Sequence, residues 1–164
     1  MTDFVIPQQD SRAFRDVLGR FATGVTVVTC LGPDGQPLGL TVNSFNSVSL
    51  DPPLILWSLA LSSPNLEAFS RCSHYAVNIL AADQEALSNQ FAGRSEDKFL
   101  NVRWQAGLGG VPLLDGCVAS FEVFNENRIP GGDHQIFLGR VARCAQNPKR
   151  PPLLYFGGAY RQLA

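Results

Sequence analysis

The chain has 164 residues, of which 45% are hydrophobic and only 16% charged, with a formal net charge of −1. That length is one domain, able to bury roughly 70% of its unfolded surface. A charge fraction well below the ~25% usual in soluble domains leaves apolar surface that a bound aromatic ligand or a second subunit would cover. The longest basic cluster is Lys149-Arg150, so there is no basic face for nucleic acid or an anionic membrane to meet.

Residues 1–10 read as a flexible arm and 11–164 as a single domain. The first residues, MTDFVIPQQD, have neither the basic nor the apolar region of a secretory leader. No apolar run reaches the ~18 residues of a membrane span, so a cytoplasmic protein is expected. Cys30, Cys72, Cys117 and Cys144 are scattered without a CxxC pair. Reduced, mostly buried thiols are the expectation, with no metal.

Ser11 can cap a helix in which Phe14, Val17, Leu18 and Phe21 form one apolar stripe, with Gly24 stopping it. Residues 25–30 are β-branched and read as a strand. Pro33-Asp34-Gly35-Gln36 is a turn signal, so residues 38–42 return antiparallel. Pro52-Pro53 opens the strand LILWSL. Ser63-Pro64 reads as the cap and first residue of a second helix reaching Arg71. Residues 74–81 form a further strand, and Asp83 caps a third helix ending after Phe91.

Residues 100–116 read as a glycine-rich connection. The alternating segments 117–128 and 134–146 predict a long antiparallel pair across a turn at 129–133. Glu122 and Glu126 fall on one solvated face of it, and residues 153–156 close the sheet. Six or seven strands joined mostly by turns, with three short helices, predict a mainly β, antiparallel barrel with helices packed outside. The GLGG at 107–110 is not the glycine fingerprint of a doubly wound sheet.

Two stretches carry chemistry. Thr41, Asn43, Ser44, Asn46, Ser47 and Ser49 place polar side chains at nearly every other position beside a strand. Such a cradle can hold a phosphate through hydroxyls and backbone N–H groups, with Ser62-Ser63-Pro64 as its second half. Gly132-Asp133-His134 puts one of only two histidines after a glycine bend. Asp133 favours its protonated form, which suits an anionic phosphate or a carboxamide oxygen. His74 lacks such a setting and reads as structural. Trp57, Phe91, Phe99 and Trp104 can stack on a planar ring, although aromatics in a barrel are more often core. No GxSxG elbow, HExxH, EF-hand loop or P-loop is present, so any enzyme here borrows its chemistry from a cofactor.

GRFATGVTVVT, GLTVNSFNSVSLDPPL, GDHQIFLGRV and PLLYFGGAYRQL, in this order, resemble the short-chain flavin reductases, the NAD(P)H:flavin oxidoreductase components of two-component monooxygenases. The resemblance implies an FMN-binding split β-barrel, Greek-key-like, forming a homodimer with flavin near the subunit boundary. It implies FMN or FAD, with NADH or NADPH as co-substrate, and reduced flavin passing by diffusion to a separate monooxygenase. The implied flavin contacts are Thr41, Val42, Asn43, Ser44 and Ser47, then Trp57, Ser58, Ser62 and Ser63, then Phe91, Ala92 and Phe99. Gly132, Asp133 and His134 match the family's nicotinamide-associated motif, with His134 as the catalytic candidate and Tyr155 and Tyr160 nearby. Relatives often carry a base just before the serines, where this chain has Ala60-Leu61, so weak phosphate anchoring and an exchangeable flavin are expected. The competing expectation is an FMN-binding electron carrier that does not turn over NAD(P)H.

Overall fold

A computed structural model of the chain describes residues 4–95 and 97–163. Helix α1 (Ser11–Leu18) follows a turn in which the N–H groups of Gln9 and Asp10 donate to the Ile6 carbonyl. Its cap is Asp10, one residue before the expected Ser11. The Asp10 carboxylate accepts from the Ala13 N–H at 2.9 Å, and the helix closes at Gly19 rather than Gly24. Strand β1 (Thr23–Gly24) leads into β2 (Thr26–Leu31), which turns back through Pro33–Gly35 into β3 (Pro37–Val42). Strands β4 (Asn46–Leu50) and β5 (Pro53–Ala60) form the next hairpin.

Helix α2 (Leu66–Arg71) starts later than Ser63-Pro64 predicted. Ser63 instead accepts from the Asn65 N–H in the turn before it. Strand β6 (His74–Ile79) and helix α3 (Glu85–Ala92) follow. Asp83 does not cap α3; its carboxylate pairs with Arg150, and the cap position is Gln84. The connection at 100–116 holds more order than expected: β7 (Trp104–Ala106), a 3₁₀ turn (Leu108–Gly110) and β8 (Pro112–Leu114). The long hairpin is β9 (Ala119–Gly131) and β10 (His134–Gln146). Strands β11 (Leu154–Phe156) and β12 (Ala159–Arg161) end the chain.

All pairings are antiparallel, and the main sheet runs β3-β2-β6-β9-β10-β5-β4. Its two edges, β3 and β4, are joined by only residues 43–45. Seven strands laid flat would put those edges about 29 Å apart at ~4.8 Å per strand. The three-residue link reaches at most about 14 Å. The sheet therefore curls until its edges meet at a seam, and residues 43–45 cross it. The expectation that residues 153–156 close this sheet is not met: β11 pairs with β1 and β12 in a separate three-stranded sheet. The mainly β, antiparallel character and the three peripheral helices are as expected.

Alternation along β5 sends Ile55, Trp57 and Leu59 inward, where they pack with Phe69, Tyr75, Val123 and Phe137. Trp57 is fully buried and stacks on Phe137 with ring centroids 4.6 Å apart, so its ring is part of the core. The expectation that Glu122 lies on a solvated face is corrected. Its side chain is 8% exposed, chelated by Arg143 at 2.6 and 3.0 Å, and it accepts from the Leu108 N–H. Residues 107–110 cover what alternation alone would leave in water. All four cysteines are free: Cys30 and Cys117 are buried, Cys72 partly so, and Cys144 is exposed. Among the described residues, no helix is long and apolar enough to cross a membrane.

Candidate functional site

The seam creates the site. Thr26 donates from its hydroxyl to the Val42 carbonyl at 3.0 Å, holding the last residue of β3 in place. Beyond it, the Ser44 hydroxyl accepts from the Ser58 N–H at 2.9 Å and donates to the Ser58 carbonyl at 3.2 Å. One side chain thus staples the seam link to β5. On the far side of β5 lies β10, where His134 pairs with Ala60 and Ile136 with Ser58. Residues 41–44, Ser58, Ala60, Gly131 and His134 together line an open cavity of about 540 Å³. The cradle and the histidine, some ninety residues apart in sequence, share its walls.

The histidine is aimed by its turn. Strands β9 and β10 meet at Gly131 and His134, leaving a two-residue loop of Gly132 and Asp133, tighter than the expected turn. Gly132 has φ +71°, a conformation that glycine takes without the Cβ clash other residues suffer. The loop is tied to β5 by the Leu61 N–H donating to the Asp133 carbonyl at 2.9 Å. Asp133 then holds the His134 ring through Nδ1 at 2.7 Å. That hydrogen bond from His134, and its charge when protonated, keep the exposed Asp133 carboxyl below its ordinary range.

A second cavity, of about 920 Å³, adjoins the first, with Leu40 and Thr41 as common walls. Its far wall is α3 and the turn after it, pressed onto β3 because Gly39 has no side chain. A Cβ there would sit 2.7 Å from the Phe91 ring. Thr41 ties the two elements by donating to the Ser88 carbonyl at 2.7 Å. Ser62, Ser63, Phe91, Ala92 and Phe99 line this cavity, as do Arg94 and Lys98, two cations that the cradle residues themselves lack. Lys98 donates to the Phe91 carbonyl at 2.7 Å, and burial lowers the pKa of its ammonium. Phe91 is wholly buried, set edge-to-face on Phe99, and forms the floor rather than a free stacking platform.

A third cavity, of about 590 Å³, meets the first at Asn43 and is lined by α1 residues and Tyr155. Tyr160 lies behind it, bonded to Ser88 and Asn89 of α3 and edge-to-face with Tyr155. Asn43 stands at the junction, and Val42 lines the first cavity beside it. Ser47 lines none of these cavities; it sits exposed on β4, opposite Ile55 and next to a bulge. His74 bonds to Ser73 and packs on Phe124, in keeping with a structural residue. Among the described residues, no group of three or more metal-ligating side chains comes together.

A barrel seam with a neutral, hydroxyl-lined cavity beside a cationic pocket and a lone histidine has the make-up of a nucleotide-cofactor site. The donor set fits a flavin nucleotide: Arg94, Lys98, Ser62 and Ser63 match a phosphate, and the uncharged seam matches a polar ring edge. The comparisons agree. Residues 18–164 match the flavin reductase like domain, and the chain belongs to that family. It is 47% identical over 157 residues to the FMN reductase (NADH) SmoA of Agrobacterium fabrum, covering 96% of this chain and 88% of that protein. It is 45% identical over 149 residues to the reductase component of the flavin-dependent trigonelline monooxygenase of Acinetobacter baylyi, covering 91% of this chain but only 48% of that protein. Among solved structures it superposes with TM-score 0.93 and 40% identity on the NADH:FAD oxidoreductase SgcE6 of Streptomyces globisporus, in complex with NAD and FAD fragments. That match covers 99% of this chain and 98% of that one.

Proposed function

We propose that this protein is an NADH-dependent flavin reductase that supplies reduced flavin to a separate monooxygenase. The observation that carries the reading is the shared cavity: the Thr41–Ser44 cradle and His134 face one space of about 540 Å³. FMN or the FMN half of FAD would lie with its phosphate against Arg94, Lys98, Ser62 and Ser63, and its ring edge toward Thr41 and Asn43. When bound, the flavin supplies the two-electron acceptor for a hydride from the nicotinamide. This chain's part is to position. His134, its ring set by Asp133, would meet the nicotinamide, Ser44 keeps the seam fixed, and Phe91 backs the flavin side. Holding two reactants in register can remove roughly 7–11 kcal/mol of barrier without any residue of the chain reacting.

The protein would work as a homodimer in the cytoplasm. Of the expected apolar stripe, α1 carries Phe14, Val17 and Leu18, while Phe21 lies past its end; all four are exposed, and α1 buries no residue. Phe4 and Ile6 add to the same kind of surface. An obligate partner copy burying more than ~2,000 Å² would cover it. Light scattering at micromolar concentration should give a dimer, and a monomer would overturn that part. Four free thiols fit a reducing compartment.

The testing experiment is a steady-state assay of NADH oxidation with and without FMN, repeated with FAD and NADPH. FMN-dependent NADH loss is expected. Tight flavin binding with no NADH loss would mark an electron carrier instead.

A further inference from the structure

Helix α3 decides what the Thr41 hydroxyl can offer a ligand. Thr41 lines the seam cavity, but its proton goes to the Ser88 carbonyl at 2.7 Å, so its oxygen keeps lone pairs alone. The Ser44 proton is spent in the same way, on the Ser58 carbonyl. Two hydroxyls of the cradle are therefore acceptors toward anything bound there. A phosphate dianion, which carries acceptors only, gains nothing from them, whereas an N–H does. The oxidised flavin ring has one N–H, at N3.

The placement of α3 depends on its neighbours. It has eight residues and no side-chain cap, and an isolated helix of fewer than ~12–15 residues is marginal in water. On one side, Gly39 lets the Phe91 ring close on β3. On the other, β12 reaches the helix through Tyr160. The Tyr160 hydroxyl donates to Asn89 Oδ1 at 3.2 Å, so in its 2.8 Å bond to Ser88 the serine is the donor. A serine inside a helix ordinarily turns back to a carbonyl of its own helix, but the wholly buried Ser88 reaches out instead. One residue thus carries both links: its hydroxyl goes to Tyr160, and its carbonyl takes the Thr41 proton. Tyr160 itself lines neither the seam cavity nor the second cavity.

We propose that Tyr160 is a positioning residue for the flavin: through Ser88 it holds the carbonyl that takes the Thr41 proton, which leaves Thr41 as the acceptor for the N3–H of the ring. The proposal rests on the reductase reading for its ligand. It gives the small β11–β12 sheet a task, since that sheet fixes α3 from the side away from β3. It also separates the two ends of the flavin by chemistry. The acceptor-only seam takes the ring, and the cations and serines of the second cavity take the phosphate.

The test needs no turnover. Oxidised FMN and N3-methyl-FMN are titrated into the protein and followed by flavin fluorescence. The unaltered protein should hold FMN about three- to ten-fold tighter than the methylated flavin, the scale of one neutral hydrogen bond. Thr41→Val should weaken FMN by that factor and leave N3-methyl-FMN, which has no proton to donate, within about two-fold; Thr41→Ser should keep the preference. Tyr160→Phe should narrow the preference by about three-fold or more, and Ser88→Ala, which strands no buried hydroxyl, should match it, with Tm as the folding control. Neither should weaken FMN further in a Thr41→Val background, because both act through Thr41. A loss that adds to that of Thr41→Val, or that falls equally on both flavins, would reduce Tyr160 to a packing residue and overturn the proposal. So would a Tyr160→Phe protein that keeps its flavin preference while its KM for NADH rises, which would put Tyr160 on the nicotinamide. A preference that follows Tyr160 in a protein that never oxidises NADH would instead overturn the reductase reading alone.

Discussion

The β9–β10 hairpin carries a carboxylate paired with a basic side chain at each end, and the two pairs differ in burial and in task. Near the base, Glu122 is buried and chelated by Arg143, and it accepts from Leu108 to pin the 107–110 loop. At the tip, the Asp133 side chain is 94% exposed, and its carboxylate bonds to the ring of the residue beside it. A buried pair is expensive to break, because the survivor is left without water or partner. An exposed pair contributes ~0–1 kcal/mol to stability and is free to do something else. Here the base pair holds the fold, and the tip pair aims a side chain into a cavity.

Breaking the base pair should have the largest effect. Glu122→Ala is expected to destabilise by roughly 1–3 kcal/mol, since it leaves the Leu108 N–H without its acceptor while the largely exposed Arg143 regains water. Denaturant unfolding checks it. The pH dependence has a definite sign. Burial pushes the Glu122 carboxyl up, but its hydrogen bonds from Arg143 and Leu108 outweigh that and leave it below its ordinary 4.5. The stabilisation is therefore complete above that value and lost as pH falls through the lower folded one. Glu122→Gln should flatten the acid limb of the stability curve and leave neutral pH less affected than Glu122→Ala does.

Breaking the tip pair should leave stability alone. His134→Ala is expected to cut kcat/KM for NADH about ten- to a hundred-fold, the scale of one charge-assisted hydrogen bond, with flavin affinity nearly intact. Abolished flavin binding with normal NADH kinetics would refute the division of the site into two halves. Asp133→Asn keeps the histidine and loses only its orientation by a charge, so a fall of less than about ten-fold with unchanged Tm is expected. Ser47→Ala sharpens the contrast further. The resemblance assigns Ser47 to the flavin, but its place outside the cavities predicts less than a two-fold change in flavin Kd by fluorescence titration.

The contrast also shows what the residue pattern can and cannot convey. Gly132-Asp133-His134 was legible because a two-residue turn is local chemistry, and Val25 to Cys30 was legible because β-branched runs pack on pleated surfaces. Glu122 was not. Period-two alternation puts it on the polar face, and only the covering 107–110 loop, a contact between distant segments, buries it. Trp57 shows the same gap, since a strand's alternation says that it faces in but not that Phe137 stacks on it there. Arg94 escaped notice because its turn follows α3, and nothing in sequence says that α3 lies across β3. The late start of α2 and the shifted cap of α3 are smaller misses, where Asn65 and Gln84 took positions that serine and aspartate usually fill. The seam itself emerges only when strand order is known.

The central claim is that one continuous trough brings flavin and nicotinamide together beside His134. Its most direct test is to mix the FMN-loaded protein with NADH without oxygen and follow the visible absorbance of the flavin. Full bleaching, slowed about ten-fold or more at sub-saturating NADH in His134→Ala but not in Ser47→Ala, is the predicted result. Flavin that binds yet stays oxidised, or bleaches equally fast in all three proteins, would contradict it.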